Sequence, residues 1–348
     1  MLTVGVIGNE ACDADSIVAA VVLAWFLNTT SHDRHHIPLI QCPLDDLPIR
    51  LDFQEIARIA GLDVSKLGLK SLEDQTATHG VDEWILVDHN SPSLLMDRHV
   101  ASAKIVRIID HHDITSDAAR LRISQMPDKA VDIRVIGSCC SIVAEYVVAN
   151  IGEWNPIPEE SRKILHALLL VILTDTRHMD PGLGRTTEAD FQVIDQIKKI
   201  LGIVNTFSEY QRIVDSKFND EFWRKSKIST ILKYDFKDIE LVGYSSVLRS
   251  ISDIDEGELL DTFRILGYAV YVMNAGFFKN GVLMSESIIF FKDSGLLTAI
   301  LPDLLACPFR LALISKTENL VQFKVGDPSF SRKKFAPFFT QLLKKYSF

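Results

Sequence analysis

The sequence predicts an α/β protein: an N-terminal domain on a mostly parallel, doubly wound sheet, then a smaller α+β domain. Three observations predict it. Short apolar runs alternate with helical patterns through residues 1–201. The runs WILV (84–87) and AKIVRII (103–109) lack period-2 alternation, as expected of strands buried on both faces. The chemically loaded residues come directly after such runs, at the carboxyl ends of strands, where open parallel sheets bind ligands.

In chain order, 2–8 reads as a short buried strand and 16–27 (SIVAAVVLAWFL) as a nearly all-apolar, buried helix. Residues 37–41 form a second strand candidate, and 84–87 and 103–109 the next two. Residues 139–149 read as a helix. So do residues 158–173, with PEE in the first turn as a start signal, and 189–201. Residues 202–216 are expected to connect the domains. In 217–348, strands are expected at 241–246, 269–273, 287–291 and 321–325, and a C-terminal helix at 335–346.

Composition excludes several classes. With 348 residues, 47% of them hydrophobic and 24% charged, the chain can bury large cores unaided. Five cysteines (Cys12, Cys42, Cys139, Cys140, Cys307) contain no C-x-x-C pair, which argues against a disulfide scaffold or a cysteine-rich zinc site. The N-terminus has no basic n-region, and the apolar run near 164–174 is interrupted by His166 and is too short to span a bilayer. A cytoplasmic monomer without membrane contact is expected. The net charge of −9 argues against a dedicated nucleic-acid binder. The charge is uneven: residues 1–216 carry 19 basic against 31 acidic residues, and residues 217–348 carry 18 against 15. Either this is chance, or an acidic half holds cations and a mildly basic half holds an anion.

Four segments bear on that choice. Asp13 and Asp15 follow the first strand, Asp88 and His89 follow WILV, Asp110, His111 and His112 follow the next strand, and Asp175 ends a long apolar helix. Each has a plain structural reading: Asp13 or Asp15 can cap the helix starting near Ser16, and a lone Asp-His pair is more often surface or core polarity. Asp175 fits a structural role less comfortably, because the helix dipole opposes an acid at a C-terminus. Taken together, three strand ends and one helix end converge on one crevice. Carboxylates so crowded raise one another's pKa unless cations neutralise them. Oxygen-rich sets with one or two imidazoles suit Mg²⁺, Mn²⁺ or Co²⁺.

The ordered series D-x-D, DHN, DHH and helix-terminal D-T resembles the four motifs of the DHH phosphoesterase superfamily. The last portion resembles the C-terminal domain of the subfamily of family II inorganic pyrophosphatases, cytosolic exopolyphosphatases and prune-like proteins, marked by Ser331-Arg332-Lys333-Lys334. The resemblance implies a two-domain hydrolase with its active site in the cleft between the domains. Asp13, Asp15, Asp88, His111 and Asp175 would hold two divalent cations, with Asp88 bridging. His112 would touch the electrophilic phosphate, and Asp110 would orient imidazole; His89 is left as structural. Arg185, in GLGRTT, falls where relatives carry a phosphate-binding cation. Ser331, Arg332 and Lys333 would bind substrate phosphate at the start of the last helix, with Lys334 facing solvent or a distal phosphate.

One departure separates the branches. Family II pyrophosphatases carry a histidine where this chain has Asn9, and the GNE-x-x-D-x-D form resembles the exopolyphosphatase and prune branch. Asn9 is therefore read as beside the metals, a weaker ligand than imidazole. The leading expectation is an exopolyphosphatase removing terminal phosphate from polyphosphate or short oligophosphates by attack of metal-activated water. The alternatives are a manganese-dependent inorganic pyrophosphatase, a small-nucleotide phosphodiesterase, and a prune-like binding protein. Cys139 and Cys140 are expected in buried packing, and His32, His35 and His36 in a solvated loop.

Overall fold

A computed structural model describes residues 1–31, 33–97, 105–114, 116–151, 157–183, 186–239, 242–327 and 330–346. The chain divides into two compact units, Met1–Lys217 and Phe218–Phe348.

The first unit holds a six-stranded sheet: β1 (Leu2–Ile7), β2 (Arg34–Ile40), β3 (Lys70–Ser71), β4 (Glu83–Val87), β5 (Ile105–Asp110) and β6 (Val131–Ile133), in the order β3-β2-β1-β4-β5-β6. Every pairing is parallel. Both faces are covered, which is why the strands are continuously apolar. Val4, Val6, Ile85, Val87 and Ile109 belong to the larger core, with the Ala14–Thr30, Cys139–Ile151 and Glu159–Asp175 helices. Ile7, Leu39, Trp84, Leu86 and Ile108 form the second core.

The strand order reverses direction between β1 and β4, and ligands bind doubly wound sheets at such a switch point. Register sets the residues beyond it side by side: Ile7 pairs with Leu86, and Val87 with Ile109, so Asn9, Asp88 and Asp110 leave the sheet together. Gly8 makes the exit from β1 possible, because a Cβ there would lie 2.7 Å from the Ser16 carbonyl oxygen.

Two sequence expectations are corrected. Within the segment 202–216, expected as a connection, a helix begins that runs Phe207–Lys217. Its amphipathic side buries Ile213. Lys217 pairs with buried Asp52 at 2.9 Å, and the Ser216 hydroxyl donates to the Leu51 carbonyl. His35 and His36 lie in β2 rather than a loop, and His36 is buried against Asn28, whose side chain brackets its backbone; His32 lies outside the described residues.

The second unit has β7 (Lys237–Ile239), β8 (Val242–Val247), β9 (Val270–Lys279), β10 (Val282–Phe291), β11 (Leu311–Lys316) and β12 (Leu320–Val325), in the order β11-β12-β10-β9-β8-β7. Among the described residues only the β8–β9 pairing of this sheet is parallel. The Ser294–Leu305 and Arg332–Lys345 helices cover one face through Leu297, Ile300, Phe335 and Phe339. Among the described residues no helix is long and apolar enough to cross a membrane.

Candidate metal centre

Asp88 occupies the end of β4 with φ 61°, a left-handed backbone that aspartate tolerates better than most residues. Its carboxylate is buried. One oxygen, Oδ2, accepts from Asn9 Nδ2 at 2.6 Å. The other, Oδ1, makes no hydrogen bond of regular geometry, yet lies 3.2 Å from His111 Nε2 and 3.5 Å from His112 Nδ1. His111 Nδ1 is 3.0 Å from the Ile136 carbonyl, to which it donates. A carbonyl only accepts, so Nδ1 carries a proton, and in the neutral ring Nε2 is then the lone-pair nitrogen, the form that ligates metals. At 3.2 Å from Asp88 Oδ1, Nε2 either donates a proton to the carboxylate or, in the neutral ring, shares a cation with it.

Asp110, fully buried, organises the other imidazole. Its Oδ1 accepts from His112 Nδ1 at 2.8 Å and from the backbone N–H groups of His111 and His112, while Oδ2 accepts from Asn90 Nδ2. Burial alone would raise the Asp110 carboxyl, but the hydrogen bond from His112 and the surrounding histidines outweigh it and hold it below the ordinary range.

Asp13 and Asp15 carry structural bonds as well as charge. Asp13 caps the Ala14–Thr30 helix through Oδ1 to the Ser16 N–H. Asp15 is buried against the start of the Cys139–Ile151 helix: Oδ1 accepts from the Ser138 hydroxyl and the Cys140 N–H, Oδ2 from the Cys139 N–H, each at 2.8 Å. A helix N-terminus favours an anion. Oδ2 takes only one bond there and lies 3.9 Å from His111 Nε2. Asp175 ends the Glu159–Asp175 helix with a buried Oδ2 that has no hydrogen bond.

These acids sense one another. Burial pushes the Asp88 and Asp175 carboxyls well above the ordinary range, and the negative charges of Asp15 and Asp13 push both further. Among the described residues, Asp88, His111 and His112 form one tight donor group, their ligand atoms all within 4.8 Å. Asp13, Asp15 and Asp175 stand outside that group, because two are turned to helix starts and one sits on a helix end, but they supply much of its negative potential. The buried, unbonded Asp88 Oδ1 and Asp175 Oδ2 and the lone-pair His111 Nε2 fit hard-to-borderline divalent cations.

Asn9 is pinned at both ends. Its Oδ1 accepts the Ala11 N–H at 2.9 Å, which turns Nδ2 onto Asp88. The amide thus orients a carboxylate and offers no oxygen to the site. His89 Nδ1 bonds the Val87 carbonyl. Arg185 lies outside the described residues. In the second unit Ser331 precedes the Arg332–Lys345 helix, Lys333 and Lys334 are exposed, and Arg332 is largely covered.

Sequence reasoning missed Ser138, the Cys139 and Cys140 N–H groups, Asn90 and the Ile136 carbonyl. The readable signal was the serine before a helix start in GSCC, which marks free N–H groups able to hold an anion. The Asn90 and Ile136 contacts carry no such signal.

Residues 3–172 match the DHH family, N-terminal domain, so this part of the chain is a DHH domain. Among curated proteins, the chain is 24% identical to exopolyphosphatase PRUNE1 of Mus musculus, over 98% of this chain and 75% of that protein. It is 27% identical to a manganese-dependent inorganic pyrophosphatase of Methanocaldococcus jannaschii, over 73% of each. Among solved structures, a Methanococcus jannaschii protein named as a family II inorganic pyrophosphatase superposes with a TM-score of 0.60 at 21% identity, covering 95% of this chain and 96% of that one. The structural likeness establishes a shared fold.

Proposed function

We propose that this protein is a metal-dependent phosphoanhydride hydrolase of the exopolyphosphatase kind, releasing terminal phosphate from inorganic polyphosphate or short oligophosphates. The observation that carries it is the knot of buried Asp88 with half-buried His111 and His112, with Asp13, Asp15 and Asp175 around it and carboxylate oxygens left without hydrogen bonds. Likeness to exopolyphosphatase PRUNE1 and to a manganese-dependent pyrophosphatase supports the same class. Asp88, His111, Asp13, Asp15 and Asp175 would hold two divalent cations, Mg²⁺ or Mn²⁺ and on chemical grounds also Co²⁺, with Asp88 shared between them. When bound, such ions activate water and neutralise phosphoryl oxygens.

The chain's own residues do the rest. Asp110 holds the His112 ring through Nδ1 and fixes its orientation, so that its far edge is presented to a phosphoryl oxygen. Asn9 keeps Asp88 in one rotamer. Ser331, Arg332 and Lys333 bind substrate phosphate, with Arg185 as a further cation. No serine or cysteine is assigned as a nucleophile. Asn9 favours polyphosphate hydrolysis over the pyrophosphatase reading, because its amide is spent on Ala11 and Asp88 where an imidazole would be a ligand.

The test is phosphate release from pyrophosphate, tripolyphosphate and long polyphosphate in parallel, each with Mg²⁺, Mn²⁺ or Co²⁺. Turnover of tripolyphosphate or long chains above pyrophosphate is expected. Pyrophosphate as the best substrate makes the protein a pyrophosphatase, and no release with any metal removes the hydrolase reading.

A further inference from the structure

Arg332 is largely covered within the second unit, its side chain 12% exposed, whereas Lys333 is exposed. Among the described residues its guanidinium is held by one residue far away in sequence. NH2 lies 2.8 Å from Asp235 Oδ1, and NH1 donates to the Asp235 main-chain carbonyl at 2.5 Å. One residue thus grips the fork with both its side chain and its backbone. A guanidinium has five N–H donors in a rigid plane, and this grip uses two.

Asp235 is itself fixed. It sits in left-handed backbone, φ 47°, between the short Ile228–Ile231 helix and β7. Burial would raise its carboxyl, but Arg332 and Lys237, together with a hydrogen bond from Ser246, outweigh that and hold it below the ordinary range. Ser246 lies in β8, in register with Asn274 of β9, which accepts from the Ser287 hydroxyl of β10 at 2.8 Å. The anchor therefore rests on three adjacent strands. A backbone carbonyl cannot swing away, and a carboxylate tied to the sheet is a poor candidate for a latch that substrate must displace.

Resting on the reading that Arg332 binds substrate phosphate, we propose that Asp235 is the positioning residue of Arg332, fixing one end of the guanidinium so that its remaining donors are presented to a phosphoryl oxygen. The geometry assigns Asp235 no contact with substrate. It acts only through Arg332, by removing rotamer freedom that a long side chain would otherwise lose on binding.

That restriction makes a double-mutant cycle decisive. The variants are Asp235→Ala, Arg332→Ala and the pair, and the measured quantity is kcat/KM for tripolyphosphate at saturating Mg²⁺. Asp235→Ala is expected to lower kcat/KM roughly 5- to 30-fold, and to have no further effect once Arg332 is alanine. A loss of the same size in both backgrounds shows Asp235 acting independently of Arg332 and overturns the proposal. An unchanged or raised kcat/KM in Asp235→Ala, with Arg332→Ala impaired, overturns it too, since Asp235 is then idle or competes with substrate. A silent Arg332→Ala instead removes the reading of Arg332 itself, and the proposal with it. Should Asp235→Ala not fold, Asp235→Asn keeps the backbone carbonyl and one acceptor oxygen, and the cycle is run with it. A smaller loss that again vanishes beside Arg332→Ala supports positioning, and one that persists overturns it.

Discussion

The two units treat charge in opposite ways. In the first, buried Asp88 and half-buried Asp175 stand beside Asp15 and Asp13, each with a buried oxygen that no hydrogen bond satisfies. In the second, half-buried Asp235 lies beside Arg332, and the two neutralise each other within hydrogen-bond distance. The same side chain, aspartate, is driven up in one place and held down in the other. Like charges buried together with unbonded oxygens demand something from outside, whereas a satisfied ion pair organises what is already inside. The first arrangement marks a cation site, and the second marks a support.

The contrast breaks most directly at Asp88. Asp88→Asn keeps the volume and the bond to Asn9 but removes an anionic oxygen pair. Phosphate release should fall far more than tenfold with Mg²⁺, Mn²⁺ and Co²⁺ alike, and a loss under about tenfold, roughly 1.4 kcal/mol of barrier, would mean Asp88 is not shared between ions. Arg332→Ala should cost less, about 10- to 150-fold in kcat/KM, with metal affinity unchanged. Lys333→Ala should fall in the same range or below it, since its side chain is exposed.

Proton linkage sharpens the comparison. A carboxyl raised on folding contributes stability that is complete below the unfolded pKa, about 3.9, and is lost as pH rises through the folded value. Metal-free wild-type protein should therefore lose stability relative to Asp88→Asn between about pH 4 and pH 8. The gap should widen as pH rises. Denaturant midpoints at both pH values, in chelator, check it; equal midpoints at pH 8 would mean that neither burial nor the neighbouring acids raise the Asp88 carboxyl. The Asp235 carboxyl is shifted the other way, so its contribution is present above the unfolded pKa and fades as pH falls through the depressed folded value. The smallest change is expected at Asn9. Asn9→His replaces an amide donor by a ligand and should move metal preference from Mg²⁺ toward Mn²⁺ or Co²⁺ by roughly 3- to 10-fold, read from activity against metal concentration.

Much of this was legible in the sequence, and for physical reasons. Strands buried on both faces are continuously apolar, so β1, β4 and β5 stood out, as did the long apolar helices beside them. Acids directly after such strands marked the switch point. Short edge strands did not stand out: β3 and β6 have two and three residues, too few to carry a period. The Phe207–Lys217 helix was hidden because its apolar stripe is narrow and only Ile213 is buried. At the site, residue types revealed which side chains gather but not how each is turned. Asp15 facing the Cys139–Ile151 helix, Asn9 facing Asp88, and Asp235 holding Arg332 are long-range contacts that no local pattern encodes.

The central claim is that the buried acids of the first unit are held for divalent cations. Calorimetric titration of chelator-stripped protein with Mn²⁺, in two buffers of different ionisation enthalpy, tests it most directly. Wild-type protein should bind Mn²⁺ and release protons as Asp88 and Asp175 ionise, and Asp88→Asn should bind far more weakly and release fewer. Binding of equal strength and equal proton release by both proteins would contradict the account.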